Sequence, residues 1–212
     1  MIILIGNQKG GAGKSTLSMV LANYLTVVRK RKVTILDMDY QQSIAAKAEK
    51  SRVLENAPLY DVVPTDLKQF PVLLQVIRQK PEDIAILDMP GKMDDDGLIP
   101  AIAAADLVLC PFAYDEMTVD STVLFAMVVR KINSKAPLTF IPNRIKLTAK
   151  YETQAEVEKV IRQFGLITPQ IADRVDFQRL SLFETPLILY PVVLPALNMI
   201  YEQFLLPGKE AE

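Results

Sequence analysis

Between two apolar stretches the chain reads Gly6-Asn7-Gln8-Lys9-Gly10-Gly11-Ala12-Gly13-Lys14-Ser15-Thr16, a run whose residue types suit the capture of phosphate. Glycines let consecutive backbone N–H groups turn toward one anion, and a helix starting just after them points its positive end at the same place. Gly13-Lys14-Ser15 supplies the second half of the pattern GxxxxGK[ST], in which the lysine reaches β and γ phosphate oxygens and the hydroxyl ligates Mg²⁺. The first glycine of that pattern would stand at position 8, where the chain has Gln8. The loop is therefore the variant KGGxGK[ST], and its physics is unchanged. Gly10, Gly11, Ala12, Gly13, Lys14, Ser15 and Thr16 are the candidate nucleotide-binding residues. A glycine-rich turn with no nucleotide is the competing reading, disfavoured by the strand before the loop and the amphipathic helix after it.

Acidic residues fall where such a site needs them. Asp37 and Asp39 close the segment Leu36-Asp37-Met38-Asp39, and Asp88 ends Ile84-Ala85-Ile86-Leu87 ahead of Met89-Pro90-Gly91. In an open parallel sheet, ligands bind at the carboxyl ends of the strands. A carboxylate there holds Mg²⁺, directly or through water, or orients an attacking water. Each aspartate alone has a competing reading as a helix N-cap or loop carboxylate, which three of them beside a P-loop disfavour. What the chain lacks narrows the chemistry further. It has no His, no Trp and a single cysteine, Cys110, which excludes histidine acid–base catalysis, Cys/His metal centres and a disulfide framework. With 24 basic and 25 acidic residues and a net charge of -1, any attraction to nucleic acid must come from a local patch.

The elements that must position these residues alternate. Ile2–Ile5, Val33–Leu36, Ile84–Leu87, Leu107–Cys110 and Leu138–Ile141 are apolar on both faces and read as buried strands, with weaker ones at Tyr60–Val63 and Ile167–Ile171. Ser15–Val28 is a helix with Leu17, Leu21, Tyr24 and Val28 on one face, ending in Arg29-Lys30-Arg31-Lys32, which suits the helix dipole. Tyr151–Phe164 is a helix with Val157, Val160, Ile161 and Phe164 on one side, a Glu158/Arg162 pair, and Gly165 as its stop. The pattern predicts one α/β domain over residues 1–212, a mostly parallel twisted sheet with helices on both faces. The uncharged stretch Thr185–Tyr201 contains Pro186, Pro191 and Pro195, so it is expected to make a poor membrane span. The apolar opening Met1–Ile5 has no basic flank of the kind a secretory signal carries. A cytoplasmic protein with no membrane insertion is the expectation.

KGGAGKST near the amino terminus, LDMD after the second strand and AILDMPG around the fourth resemble the ParA/MinD group of P-loop ATPases with a deviant Walker A motif. That resemblance implies ATP and Mg²⁺ as cofactors and a homodimer sandwiching two ATP. It implies Lys9 reaching the partner's phosphates, Lys14 as the P-loop lysine, Ser15 as Mg²⁺ ligand and Asp39 positioning the hydrolytic water. Asp88 is then the Walker B carboxylate, with Asp37 supporting the Mg²⁺ shell. Many relatives read Asp-Pro-Gln where this chain has Asp39-Tyr40-Gln41, which puts the switch-loop conformation in question. Asn143, after the strand Leu138–Ile141, resembles the adenine-reading Asn of these ATPases; a turn-capping Asn is the alternative. Pro186 to Pro191 falls in the region that completes the adenine pocket in relatives.

The resemblance also implies non-specific DNA binding in the ATP state and hydrolysis stimulated by a ParB-like or other activating protein, in partition or positioning of DNA. An ATPase that positions a conjugation or membrane apparatus without DNA binding is the alternative, and a metabolic P-loop enzyme a third, against which Lys9 argues. One cysteine cannot serve the cysteine-dependent relatives that handle iron–sulfur clusters. The end from Tyr201, acidic and broken by Pro207, is unlike a MinD-type membrane tail. With the P-loop strand beginning at Met1, the operator-binding region of larger ParA proteins is expected to be missing. Asp94-Asp95-Asp96 is read as the start of a helix through Ile99–Ala104 or, alternatively, as an acidic patch for a partner or a metal. The helix Glu116–Ile132 presents Val119, Val123, Leu124, Met127 and Val128, expected to pack in the core or, alternatively, at a dimer contact. Arg144, Lys146, Lys150, Lys159, Arg162, Arg174 and Arg179 form a loose basic cluster, either a solvated face or, in a dimer, a DNA surface.

Overall fold

A computed structural model of the chain describes residues 1–53, 58–91 and 96–206; Asp94, Asp95 and the end from Pro207 lie outside the described residues. The strands β1 (Ile2–Ile5), β2 (Val33–Asp37), β3 (Asp61–Pro64), β4 (Ile84–Asp88), β5 (Leu107–Phe112), β6 (Leu138–Pro142) and β7 (Leu166–Ile167) form one sheet in the order β3-β2-β4-β1-β5-β6-β7. Every pairing is parallel. The helices are α1 (Lys14–Asn23), α2 (Ser43–Val53), α3 (Phe70–Arg78), α4 (Ile99–Ala104), α5 (Glu116–Ile132), α6 (Gln154–Ile161) and α7 (Tyr190–Ile200).

Side chains alternate across a strand, so β1 feeds two cores. Ile3 and Ile5 join Leu17, Leu21, Val193, Leu197 and Ile200 under α1 and α7. Ile2 and Leu4 join Leu87, Phe125, Val129, Phe140 and Ile161 on the opposite face. Burial on both faces is what made these strands continuous apolar runs in the sequence. Cys110 is one of those buried strand residues, and burial pushes its thiol far above the ordinary range, as suits a small core side chain. Of the expected strand Ile167–Ile171 only Ile167 lies in the ladder with β6, joined by Leu166 before it, because Pro169 follows; Ala172 returns as an isolated bridge to Ile145.

Four other expectations change. Val28 is exposed at the end of the π-helical turn Tyr24–Val28 that extends α1. The basic run after it makes tertiary contacts rather than a dipole cap. Arg29 bonds Tyr24 Oη at 2.7 Å and Asn198 Oδ1 at 2.9 Å and lies over the Tyr201 ring, while Lys32 pairs with Asp83 at 3.1 Å. The prolines do not break the last segment. Pro191 sits at the start of α7, where its missing N–H costs nothing, and Pro195 is an exposed interior position. The helical stretch Leu187–Leu205 is thus long and apolar enough to cross a membrane by length and composition, yet Val193, Ala196, Leu197 and Ile200 are packed in the core. In α5 the core stripe is Thr118, Thr122, Phe125, Ala126 and Val129; Val128 packs against the core from a partly buried position, while Leu124 and Met127 face outward.

Gly165 is the fourth. It is not a left-handed helix stop: α6 ends at Ile161, and Gly165 has no positive φ. A Cβ at this position would lie 1.8 Å from the Leu138 carbonyl oxygen, so the residue is glycine because β6 passes too close for anything larger. Gly165→Ala should lower stability by about 2 kcal/mol or more, the scale of overpacking a close-packed interior. Urea unfolding measures it, and an unchanged midpoint would show that β6 yields freely.

Candidate phosphate-binding site

β1 delivers the chain into the glycine-rich loop, and α1 leaves it. Gly13 caps α1 with φ of 89°, a left-handed value that disfavours any side chain. A Cβ on it would also strike Asn143 Nδ2 at 2.4 Å. The first N–H groups of α1 have no intrahelical partners, which makes this end an anion site. Lys14, Ser15 and Thr16 line a cavity of about 660 Å³ together with Gly10, Gly11, Gly13, Asp39, Tyr40 and Gln41. Lys14 is buried, and its Nζ donates to the Lys9 carbonyl at 3.4 Å. Burial lowers its pKa below the ordinary lysine value, opposed by the charges of Asp88 and Asp39.

Asp88 is fully buried at the end of β4. Ser15 Oγ donates to its Oδ2 at 2.7 Å and Ser18 Oγ to its Oδ1 at 2.8 Å. Burial pushes the carboxyl up to about 6, against the opposing pull of those two hydroxyls. Asp37 is its register partner on β2. One Asp37 oxygen, Oδ2, accepts the Ile44 and Ala45 N–H groups, each at 2.9 Å, and so caps α2. Its other oxygen, Oδ1, is buried without a hydrogen bond, and burial raises this carboxyl as well.

Asp39 begins a tight turn in which the Gln42 N–H donates to the Asp39 carbonyl at 2.9 Å and the Gln41 N–H to Asp39 Oδ1 at 3.0 Å. Tyr40 occupies the second position of this turn, the place where proline is favoured because its φ is preset. The Asp39 side chain supplies what the missing proline would have fixed, so the substitution leaves a closed turn.

A second cavity of about 490 Å³ adjoins the first and is lined by Lys9, Ala12, Asp115, Thr118, Asn143, Lys146 and Tyr151, with Gly10, Gly11 and Arg144 common to both. Asn143 is buried, and its Nδ2 donates to the Ala12 carbonyl at 2.9 Å. The Pro186–Pro191 region lines neither cavity.

Three residues escaped the sequence reading. Ser18, three places after Ser15, is the second hydroxyl on Asp88. Arg144, assigned to a basic cluster, donates from Nη1 to the Gly11 carbonyl at 2.9 Å and lies 3.8 Å from Asp173, with φ of 58°. Asn7 is buried and anchors the loop. Its Nδ2 donates to the Pro111 carbonyl and to Thr122 Oγ1, and its Oδ1 accepts the Lys9 N–H. An Asn one place after the turn glycine was its only signal. Of the other basic residues singled out, Arg162 is paired with Glu158 at 3.1 Å.

Among the described residues no group of three or more Asp, Glu or Cys side chains could hold a metal ion alone. Ser15 Oγ and Asp88 Oδ2 are nonetheless two hard oxygen donors already in contact, which suits Mg²⁺ completed by water and nucleotide phosphates.

A sequence profile of the CobQ/CobB/MinD/ParA nucleotide binding domain matches residues 3–187. The chain is 34% identical to Protein ParA of Rhizobium radiobacter over 113 residues, 52% of this chain and 47% of that protein. It is 31% identical to the chromosome-partitioning ATPase Soj of Thermus thermophilus, over 51% of this chain and 53% of that one. The matches thus span about half the length of these curated relatives. Its fold is similar to a candidate plasmid partition protein of Borrelia burgdorferi bound to AMPPNP, with a TM-score of 0.70, 23% identity and coverage of 95% and 98% of the two chains. It is also similar to McdA of Cyanothece in an ATP complex, with a TM-score of 0.74, 19% identity and coverage of 95% of both. MinD of Aquifex aeolicus aligns with a TM-score of 0.72 at 16% identity, over 95% and 97% of the two chains. With the profile covering most of its length, this chain belongs to the CobQ/CobB/MinD/ParA family of nucleotide-binding domains.

Proposed function

We propose that this chain is an Mg²⁺-dependent ATPase that dimerises around two ATP molecules and serves as a switch in the partition or positioning of DNA. The observation that carries the reading is the arrangement of Lys14 and Ser15 on one cavity wall, Asp88 holding Ser15 from behind, and Asp39 on the same cavity. The N–H groups of Gly10 through Gly13 and the start of α1 would cradle the phosphates, with Lys14 as their cation. Ser15 and Asp88 would hold Mg²⁺, with the unpartnered Asp37 oxygen one strand away; the ion supplies charge neutralisation on the phosphates. Asp39, held in its turn, would orient the attacking water. Lys9, facing the second cavity, would meet the phosphates of a partner subunit.

Partition is carried over from relatives whose names describe ParA and chromosome partitioning; non-specific DNA binding and an activating partner are what the ParA/MinD resemblance implies. A single domain and a cytoplasmic site of action complete the reading. Lys14→Ala should weaken ATP binding or turnover by roughly 10²-fold or more, since it removes a buried cation from the phosphates. Asp39→Asn keeps the turn acceptor and loses the charge, so kcat should fall by roughly 10²-fold with KM unchanged and the ATP-bound dimer should accumulate. Wild-type turnover in Asp39→Asn would remove the water-positioning role. A DNA mobility shift at low salt that requires ATP is expected; its absence would favour the positioning role without DNA.

The buried Asp88 gives the metal-free chain a pH signature. Between the ordinary carboxyl value of 3.8 and about 6 the folded chain keeps a proton that the unfolded chain has released, so stability falls as pH rises through that window. In EDTA, Asp88→Asn should show a shallower fall of the urea midpoint between pH 4 and pH 6. Parallel profiles for the two chains would show that Asp88 ionises as it does in water.

A further inference from the structure

The outward side of α5 and the adjoining side of α6 form an apolar groove of about 480 Å³, lined by Val119, Val123, Leu124 and Met127 and by Val157 and Val160. Leu124 is 48% exposed, Met127 55% and Val160 42%. Met117, 68% exposed, extends the same α5 stripe by one further turn, because residues 117, 120, 124 and 127 lie on one face at helical spacing. A run of exposed large apolar side chains between two helices is unlike the single scattered apolar residues that need no explanation. The charged side chains lining it are Asp120 and Glu156, both acidic, one from each wall.

This charge pattern decides between occupants. In a two-fold dimer built on this groove, the same patch would face itself, bringing the acidic pairs of two copies together in a desolvated interface, where like charges repel. A cationic partner meets no such cost. The width between two helices suits a third, laid in with apolar anchors at i, i+4 and i+7, and unbranched Met127 and Met117 adapt to such anchors. We propose that the α5/α6 groove docks an amphipathic helical segment of a partner protein, apolar on one face and flanked by Lys or Arg residues that meet Asp120 and Glu156. The groove is lined by none of the residues that line the two phosphate-side cavities, so the proposal goes beyond the ATPase reading and does not depend on it.

The test uses the full chain and two fluorescein-labelled synthetic helices of the same amphipathic pattern, one of Leu and Lys, the other of Leu and Glu. Anisotropy should show the Leu/Lys helix binding and the Leu/Glu helix at least tenfold weaker. Leu124→Gln with Met127→Gln, both exposed and absent from the nucleotide site, should cost at least tenfold in Leu/Lys affinity. Asp120→Lys with Glu156→Lys should reverse the preference. Binding that survives the Gln substitutions, or a preference untouched by charge reversal, would overturn the proposal. So would sedimentation showing a nucleotide-free dimer that the Gln substitutions convert to monomer, since the occupant would then be a second copy. Fluorescent ATP-analogue binding measured on the same preparations keeps the two readings separate: its loss in the unaltered chain would defeat the nucleotide site and leave the groove standing.

Discussion

The sheet and the loop are joined through one buried carboxylate. Asp88 ends β4, the strand between β1 and β2, and both its oxygens accept from α1, through Ser15 and Ser18. A buried ionised carboxylate is costly unless its lone pairs are satisfied, and here hydroxyls from the first turns of the helix satisfy them. The same contact sets where α1 starts, and so where its free N–H groups and Lys14 point. Burial raises Asp88 and lowers Lys14, each opposed by the other's charge. Both groups sit in an environment that a divalent ion and phosphates would relieve.

The loop is fixed on its other side by different means. Asn7 ties its beginning to the end of β5 and to Thr122 of α5, while Asn143 and Arg144 hold the Ala12 and Gly11 carbonyls. The glycines therefore supply conformational freedom to a loop whose path is set by its own Asn7 and by polar groups from β5, α5 and the end of β6. Asp39 repeats the strategy in the next loop, where its own side chain closes the turn around Tyr40. Preorganisation of this kind is what a phosphate site needs, because donors that are already aimed need no reordering when the anion arrives.

What the sequence disclosed was whatever depends on burial on both faces or on a local motif. The strands of the central sheet were visible as continuous apolar runs, and Lys14, Ser15, Asp39 and Asp88 were visible from spacing to the ends of those strands. Features that depend on distant packing were hidden. Gly165 reads locally as a helix stop, yet its constraint is the Leu138 carbonyl of another strand. In α5, helical periodicity grouped Val119, Val123, Leu124, Met127 and Val128 as one surface; the first four line an outward groove while Val128 packs against the core, because apolarity alone could not say which of two apolar sides faces inward. The buried side includes Thr118 and Thr122, polar residues retained in the interior because Asn7 and Asp115 bond them. The prolines of the last helix misled for a similar reason: Pro191 stands at a position where a helix tolerates it, a fact settled by where α7 begins.

Asn143 shows how a local reading and a structural one can both be incomplete. An adenine-reading Asn uses its amide donor and carbonyl acceptor together on the base edge, and a turn-capping Asn uses its oxygen on nearby backbone. Here Nδ2 is engaged with the Ala12 carbonyl of the phosphate loop, 131 residues away in sequence. One of the two Nδ2 N–H donors is therefore occupied in this conformation, and the other N–H and the oxygen are left for a base. The contact also gives Gly13 a second reason to be glycine, since a side chain there would collide with the same nitrogen. The end of β6 thus positions the loop before it could read any base. Adenine could then engage the free N–H and the oxygen of Asn143 while the Ala12 bond stays closed, so one side chain would tie the shape of the loop to the filling of the second cavity.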